Sequence, residues 1–316
     1  MKIINQLICC CFVLLMLYFG PCSAMLSLQE ATKDSSSQIL AVEFKNPCYS
    51  KNSEIKILSV RNGDPFNFSA HDLVGKGIAY ICDKNEIPNP FDVTHSGVAT
   101  LASPVDVFEI IRKQTPSEEN PVQNCTIGEK AGAAMIKEIS TYHCKILAMT
   151  DYKGFEPFLL EASGDAKAVL AGIYPHVQIH PLALSLKKYV GDVFQRSIYF
   201  QIPVEYSLNF IANHIGKSYE TLSTANELFN AINDGNSKEN TSKLFCSEMV
   251  ALYLRGAIQT YLPPNDFIKR RLELYKNVSN ILPEEISSGA GQKYDIMYGV
   301  ASPDQIVKHY ITECCC

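Results

Sequence analysis

The chain has 316 residues, of which 47% are hydrophobic and 19% are charged. This apolar content supports a substantial core and excludes a disordered chain. The formal net charge of −5 argues against a general nucleic-acid-binding protein, which would usually carry a basic face. We therefore expect a globular protein with no nucleic-acid partner.

The first 24 residues have the pattern of a secretory signal peptide. Lys2 precedes a 14-residue apolar run over 7–20, and small residues follow at 22–24. Because a membrane-spanning helix needs about 20 residues, we predict cleavage after Ala24 and export to the periplasm or the exterior. An uncleaved signal anchor, which would keep the protein at a membrane, is the alternative.

Cysteine usage depends on this export. Eight of the twelve cysteines would remain after cleavage, in an oxidising compartment. Cys125 and Cys144 form the predicted local disulfide pair. No Cys/His group has zinc-like spacing. The tail 313–316 resembles prenylated termini, but Glu313 stands where that motif requires cysteine.

Strand patterns dominate the middle of the chain after a polar leader over 25–44. Short runs of small, β-branched and aromatic residues between turn residues carry the signal. The predicted strands cover 56–60, a stretch from His71, 94–102, 145–152, 156–162, 176–184 and 196–204.

Helical periodicity interrupts the strands once and then dominates the C-terminal third. Ser103 with Pro104 is typical of a helix N-terminus. The helical stretch 103–146 is interpreted as an insertion between strands. The pattern indicates one α+β domain over about 45–312. The predicted helices cover 103–114, 127–142, 205–216, 225–233 and 245–262, with a further start at Ser302.

Cys246 is the first candidate for chemistry. In KLFCSEMVALYLRG it falls in the first turn of a predicted helix, where free N–H groups and the helix dipole favour a thiolate. It also shares a helical face with Met249, Val250, Tyr253 and Ala257, as a buried thiol in a core would. The helix alone leaves both interpretations open.

Two further residues would complete a nucleophilic site. His95 lies among small residues in THSGVA, and a cysteine nucleophile needs such a base within hydrogen-bond reach. Glu161 ends the apolar run PFLLEA and could orient an imidazole. His180 is the alternative for that orienting role. Each residue, taken alone, is also compatible with a structural role.

Four stretches in this order resemble the circularly permuted branch of the NlpC-type papain-like hydrolases, the YiiX-like family. HDLVGKG contains Asp72, THSGVATL contains His95, and FLLEASG contains Glu161. IGKSYE contains Tyr219, and LFCSEMVALY contains Cys246, Ser247 and Glu248. SPDQIVKHY resembles the family's closing helix, so that the resemblance spans about 72–310.

The resemblance implies a permuted papain-like fold, with an antiparallel sheet or partial barrel packed against helices. It implies a secreted thiol hydrolase with a triad of Cys246, His95 and Glu161, and no metal or organic cofactor. Tyr219, Asp72 and Ser247 would lie near the pocket. Two departures are the long connection 103–146, which could form a lid or a partner surface, and Phe245 where the family has tyrosine.

The substrate stays open between peptide amides, such as those of cell-wall peptides, and lipid acyl chains. An acyltransferase acting on lipid, a catalytically silent binding module on the same fold, and a disulfide-stabilised adhesion protein are the alternatives. Association with a membrane is also left open. Labelling of Cys246 by an acyl or thiol-reactive probe, together with disulfide mapping, distinguishes these hypotheses.

Overall fold

The described part of the chain contains six strands: β1 (Asn52–Val60), β2 (His95–Ala102), β3 (Glu156–Ser163), β4 (His176–Pro181), β5 (Val193–Pro203) and β6 (Tyr298–Val300). They form one antiparallel sheet with the order β4-β3-β2-β1-β5-β6. The structure is a computed structural model, which describes residues 52–60, 95–118, 120–122, 125–163, 168–169, 171–188, 193–219, 244, 246–265, 269 and 298–300.

The helices begin where local sequence favours them. Ser103 caps the first helix by accepting a hydrogen bond from the Asp106 N–H at 3.2 Å, and Pro104 occupies the first turn. The described helices are α1 (Pro104–Gln114), α2 (Glu129–Tyr142), α3 (Cys144–Leu147), α4 (Leu182–Lys188), α5 (Val204–His214) and α6 (Cys246–Tyr261).

The two faces of the sheet belong to different apolar clusters. Val98 and Leu160 contribute to the larger cluster, whereas their neighbours Ala99 and Leu159 contribute to the smaller one, as strand alternation requires. Helices α1, α2, α5 and α6 pack into the larger cluster, and α4 packs into the smaller one. The mixture of helices with an antiparallel sheet confirms the predicted α+β class.

The connection between β2 and β3 is part of the main core. Val107 and Ile111 of α1, with Met135 and Ile139 of α2, are buried in the larger cluster. Both helices lie where the sequence predicted them. Within the described residues, the segment 103–146 therefore supports the sheet.

One predicted strand, 145–152, is wrong, and another, 176–184, is wrong in part. The run from Lys145 forms α3 and a turn, since a short apolar run does not distinguish strand from helix. Strand β4 ends at Pro181, and α4 follows. Leu182 and Leu186, which are four residues apart, are both buried in the smaller cluster, which is helical spacing.

The predicted disulfide is also wrong, because Cys125 and Cys144 are free thiols. Cys125 Sγ instead accepts a hydrogen bond from Asn120 Nδ2 at 3.1 Å, and Cys144 is exposed. Several predictions lie outside the described residues: the signal peptide 1–24, the leader 25–44, the strand from His71, the helices at 225–233 and Ser302, and the tail 313–316. Among the described helices, none has both the length and the apolarity to cross a membrane.

Candidate active site

His95 is the first residue of β2 and pairs with Val60 of β1. The side chain of His95 is buried, with 4% of the residue exposed. Gly97 keeps the neighbouring strand close, since a Cβ there would lie 2.8 Å from Leu159 Cδ1 and 3.1 Å from the Leu160 carbonyl oxygen. Close packing against β3 therefore explains why Gly97, two residues after the histidine, has no side chain.

Glu161 lies near the end of β3, on the strand next to β2, and pairs with Gln178 of β4. Its carboxylate Oε2 is 2.6 Å from His95 Nε2, and 5% of Glu161 is exposed. A buried ionisable pair at this distance makes a charge-assisted hydrogen bond. The residues are 66 positions apart in sequence, and the antiparallel pairing of β2 with β3 brings them together.

Cys246 is the first residue of α6 and is fully buried. Met249, Val250, Tyr253 and Ala257, the residues that share its helical face, are buried as well. The predicted core-facing stripe is therefore correct. Interaction with Cys246 is one of the causes that raise the pKa of His95, so that a single thiol belongs both to the core and to the polar cluster.

The electrostatics of this cluster favour a charged imidazole. Burial by itself lowers the pKa of His95. Hydrogen bonds with the side chains of Cys246 and Glu161, together with Coulombic attraction to both, outweigh the burial and raise that pKa well above its usual value. The surroundings of His95 therefore favour its protonated, positively charged form.

The other predicted residues take different positions. Tyr219 and Ser247 are buried, and the Tyr219 N–H donates to the Pro175 carbonyl at 2.9 Å. His180 does not take the orienting role: its Nδ1 lies 2.8 Å from Glu138 Oε2, in a second histidine–glutamate pair. Asp72 and Phe245 lie outside the described residues.

Sequence reasoning did not predict two buried polar features. Glu248 of the Cys-Ser-Glu motif was identified, but not its burial, which leaves it 1% exposed. Thr100, Ser207 and Tyr253 bring three buried hydroxyl groups together from β2, α5 and α6. Each hydroxyl group belongs to a residue on the core-facing side of its strand or helix. A polar residue at such a position was the only signal in the sequence that could have indicated a buried hydrogen-bond network.

In the part of the chain that the structure describes, no group of three or more His, Cys, Asp or Glu residues could hold a metal ion. Cys246, His95 and Glu161 carry a thiol, an imidazole and a carboxylate, which are the functional groups that a nucleophilic site uses.

Comparison of the chain with family models, with curated proteins and with solved structures gives no match. The geometry of the site is therefore the basis for assigning a function.

Proposed function

We propose that this protein is a cysteine hydrolase in which Cys246 is the nucleophile. The observation that carries the proposal is the convergence of Cys246, His95 and Glu161 from a helix and two strands into one buried cluster, in which His95 hydrogen-bonds to Glu161 and Cys246 helps to raise the pKa of His95. Chance placement of three residues predicted from separate motifs is a poor explanation for this contact. The resemblance to permuted NlpC-type hydrolases supports the same roles.

The Cys246 thiolate attacks the carbonyl carbon of an amide, ester or thioester. With Nε2 of His95 bonded to Glu161, Nδ1 is the nitrogen that exchanges a proton with the thiol. The imidazolium then gives its proton to the leaving amine, alcohol or thiol, and a thioester remains on Cys246. Water, deprotonated by His95, releases the acid and restores the thiol.

Glu161 holds His95 in the productive tautomer and stabilises the imidazolium. The backbone N–H of Cys246, at the first position of α6, has no partner earlier in the helix. We assign this N–H to the oxyanion of the tetrahedral intermediate. All the groups required by the reaction are then side chains and backbone of this chain.

The test is acylation of the full chain by a p-nitrophenyl ester with a small acyl group, because Cys246 is fully buried. Peptide mapping locates the acyl group. The exposed Cys144, which does not belong to the predicted triad, is an internal comparison thiol. We expect Cys246 to acylate faster than Cys144 and to turn over, and His95→Ala to abolish that advantage.

Acylation of Cys144 alone would remove the hydrolase proposal and favour a binding module. If Cys246 turns over, a panel of peptide amides and lipid esters separates amidase from lipid-hydrolase activity, and added alcohol or amine acceptors detect acyl transfer.

We further propose an exported enzyme that acts on peptide or lipid acyl substrates. N-terminal sequencing of secreted material tests cleavage after Ala24.

A further inference from the structure

Three buried hydroxyl groups form a closed set, here called the hydroxyl triangle: Thr100 of β2, Ser207 of α5 and Tyr253 of α6. Ser207 Oγ lies 2.8 Å from Thr100 Oγ1 and 2.8 Å from the Tyr253 hydroxyl. The Tyr253 hydroxyl donates to Thr100 Oγ1 at 3.4 Å. All three residues have no exposed surface.

The chemistry of the triangle favours a fixed geometry. Each hydroxyl can donate once and accept at least once, so that a ring of three satisfies all of them. Burial raises the pKa of Tyr253 to about 12, which keeps its proton in place at neutral pH. A satisfied buried network specifies one arrangement of the elements that carry it, whereas apolar contacts tolerate sliding.

Two of the three elements that carry the triangle, β2 and α6, also carry residues of the site. Tyr253 follows Cys246 by seven residues on α6, which is about 10 Å along the helix axis. Thr100 follows His95 by five residues on β2, about 17 Å along the strand. Helix α6 therefore meets β2 directly through Tyr253 and Thr100, while Cys246, at the start of the helix, helps to raise the pKa of His95 at the start of the strand.

We propose that Thr100, Ser207 and Tyr253 are positioning residues, which set the register of α6 on β2 and thereby the approach of the Cys246 thiol to His95. This inference rests on the proposed function. A displacement of the order of 1 Å between reacting groups costs about 100-fold in rate. Loss of a triangle hydroxyl should consequently lower the acylation rate of Cys246 about 10- to 100-fold.

The test compares two substitutions at one position. Thr100→Val keeps the shape of threonine and removes the hydroxyl, whereas Thr100→Ser keeps the hydroxyl and removes a methyl group. Positioning predicts slow acylation for Thr100→Val and a rate nearer to wild type for Thr100→Ser. A role in packing alone predicts the reverse order, since serine leaves a small cavity.

A second readout follows the imidazole itself. Contact with Cys246 is one of the causes that raise the pKa of His95, so that a displaced thiol should make His95 titrate at lower pH by NMR. Tyr253→Phe should show this shift. Tyr206→Phe is the matched control: its hydroxyl donates to the Tyr253 carbonyl at 2.7 Å and joins α5 to α6 without involving β2.

Unchanged acylation and unchanged His95 titration in both Thr100→Val and Tyr253→Phe would overturn the positioning role. An equal shift in Tyr206→Phe would overturn it as well, because general loosening of α6 would then explain the effect. If wild type shows no acylation of Cys246, the hydrolase proposal fails. The titration of His95 still decides whether the triangle controls the contact, so that the two failures are distinguishable.

Discussion

Replacement of Glu161 by glutamine tests the role of the carboxylate with little change in shape. The substitution removes the negative charge 2.6 Å from His95 Nε2 and leaves an amide of nearly the same size. A hydrogen bond to a charged group contributes about 1.5–3 kcal/mol, and a neutral one about 0.5–1.5 kcal/mol. We therefore expect the free energy of unfolding to fall by roughly 1–2 kcal/mol.

The expected effect on catalysis is larger than the effect on stability. Glutamine can present its NH₂ group to Nε2, which would put the proton on Nδ1 and leave no acceptor for the thiol proton. Loss of tautomer control of this kind reduces turnover by up to about 10,000-fold in a serine protease. We expect the acylation rate of Cys246 to fall by about 100-fold or more.

The matched control is Glu138→Gln, which alters the second histidine–glutamate pair. Glu138 Oε2 lies 2.8 Å from His180 Nδ1, so that the chemistry of the substitution is similar. Acylation kinetics and chemical denaturation of both variants separate catalysis from stability. Equal acylation rates for Glu161→Gln, Glu138→Gln and wild type would refute the orienting role of Glu161.

The same pair predicts a pH dependence of stability. The pKa of His95 is raised in the folded state above its ordinary value of 6.5, so that folding favours the protonated imidazole. The contribution of His95 is then fully present below pH 6.5 and is lost as pH rises through the folded-state pKa. Urea titrations from pH 6 upward should show this loss in wild type and a smaller one in Glu161→Gln.

Two further predictions concern the core. Burial lowers the pKa of His143 from 6.5 to about 4. The neutral imidazole therefore contributes about 3 kcal/mol to stability above pH 6.5, and this contribution is lost as the pH falls toward 4. His143→Phe should reduce the loss of stability between pH 6.5 and 4 in chemical denaturation, and an unchanged loss would contradict the assignment. Gly132→Ala would place a Cβ 2.7 Å from Thr115 Cβ and closer still to other Thr115 atoms, so that the free energy of unfolding should fall by about 1–3 kcal/mol. The control Gly128→Ala meets nothing within 4 Å and should leave the free energy of unfolding nearly unchanged in the same assay.

The sequence predicted best where local signals and tertiary structure agree. The cap at Ser103 and the run beginning at His95 each define an element that the structure contains. The run from Lys145 failed because its few apolar residues fit either period; in the helix that forms, Ile146 is buried and Leu147 packs against the larger cluster.

The candidate site could be predicted only in part. His95, Glu161 and Cys246 were identified from separate stretches, and the antiparallel pairing of β2 with β3 brings the first two together. His180 also lies in an apolar strand and was the alternative to Glu161, yet its Nδ1 is hydrogen-bonded to the carboxylate of Glu138 on α2. Such a choice depends on contacts between distant elements, which no local pattern contains.

Two buried histidines distinguish the core of this protein from its site. His143 is 1% exposed beside Phe158, and burial drives its pKa down to about 4, as an apolar core should. His95 is almost as deeply buried, yet its pKa moves in the opposite direction because Cys246 and Glu161 attract its proton. A cysteine that served only as a small hydrophobic residue would not need to act on an imidazole that is bonded to a carboxylate. The contrast between the two histidines is therefore the physical argument for proposing a chemical role for Cys246 in addition to its role in packing.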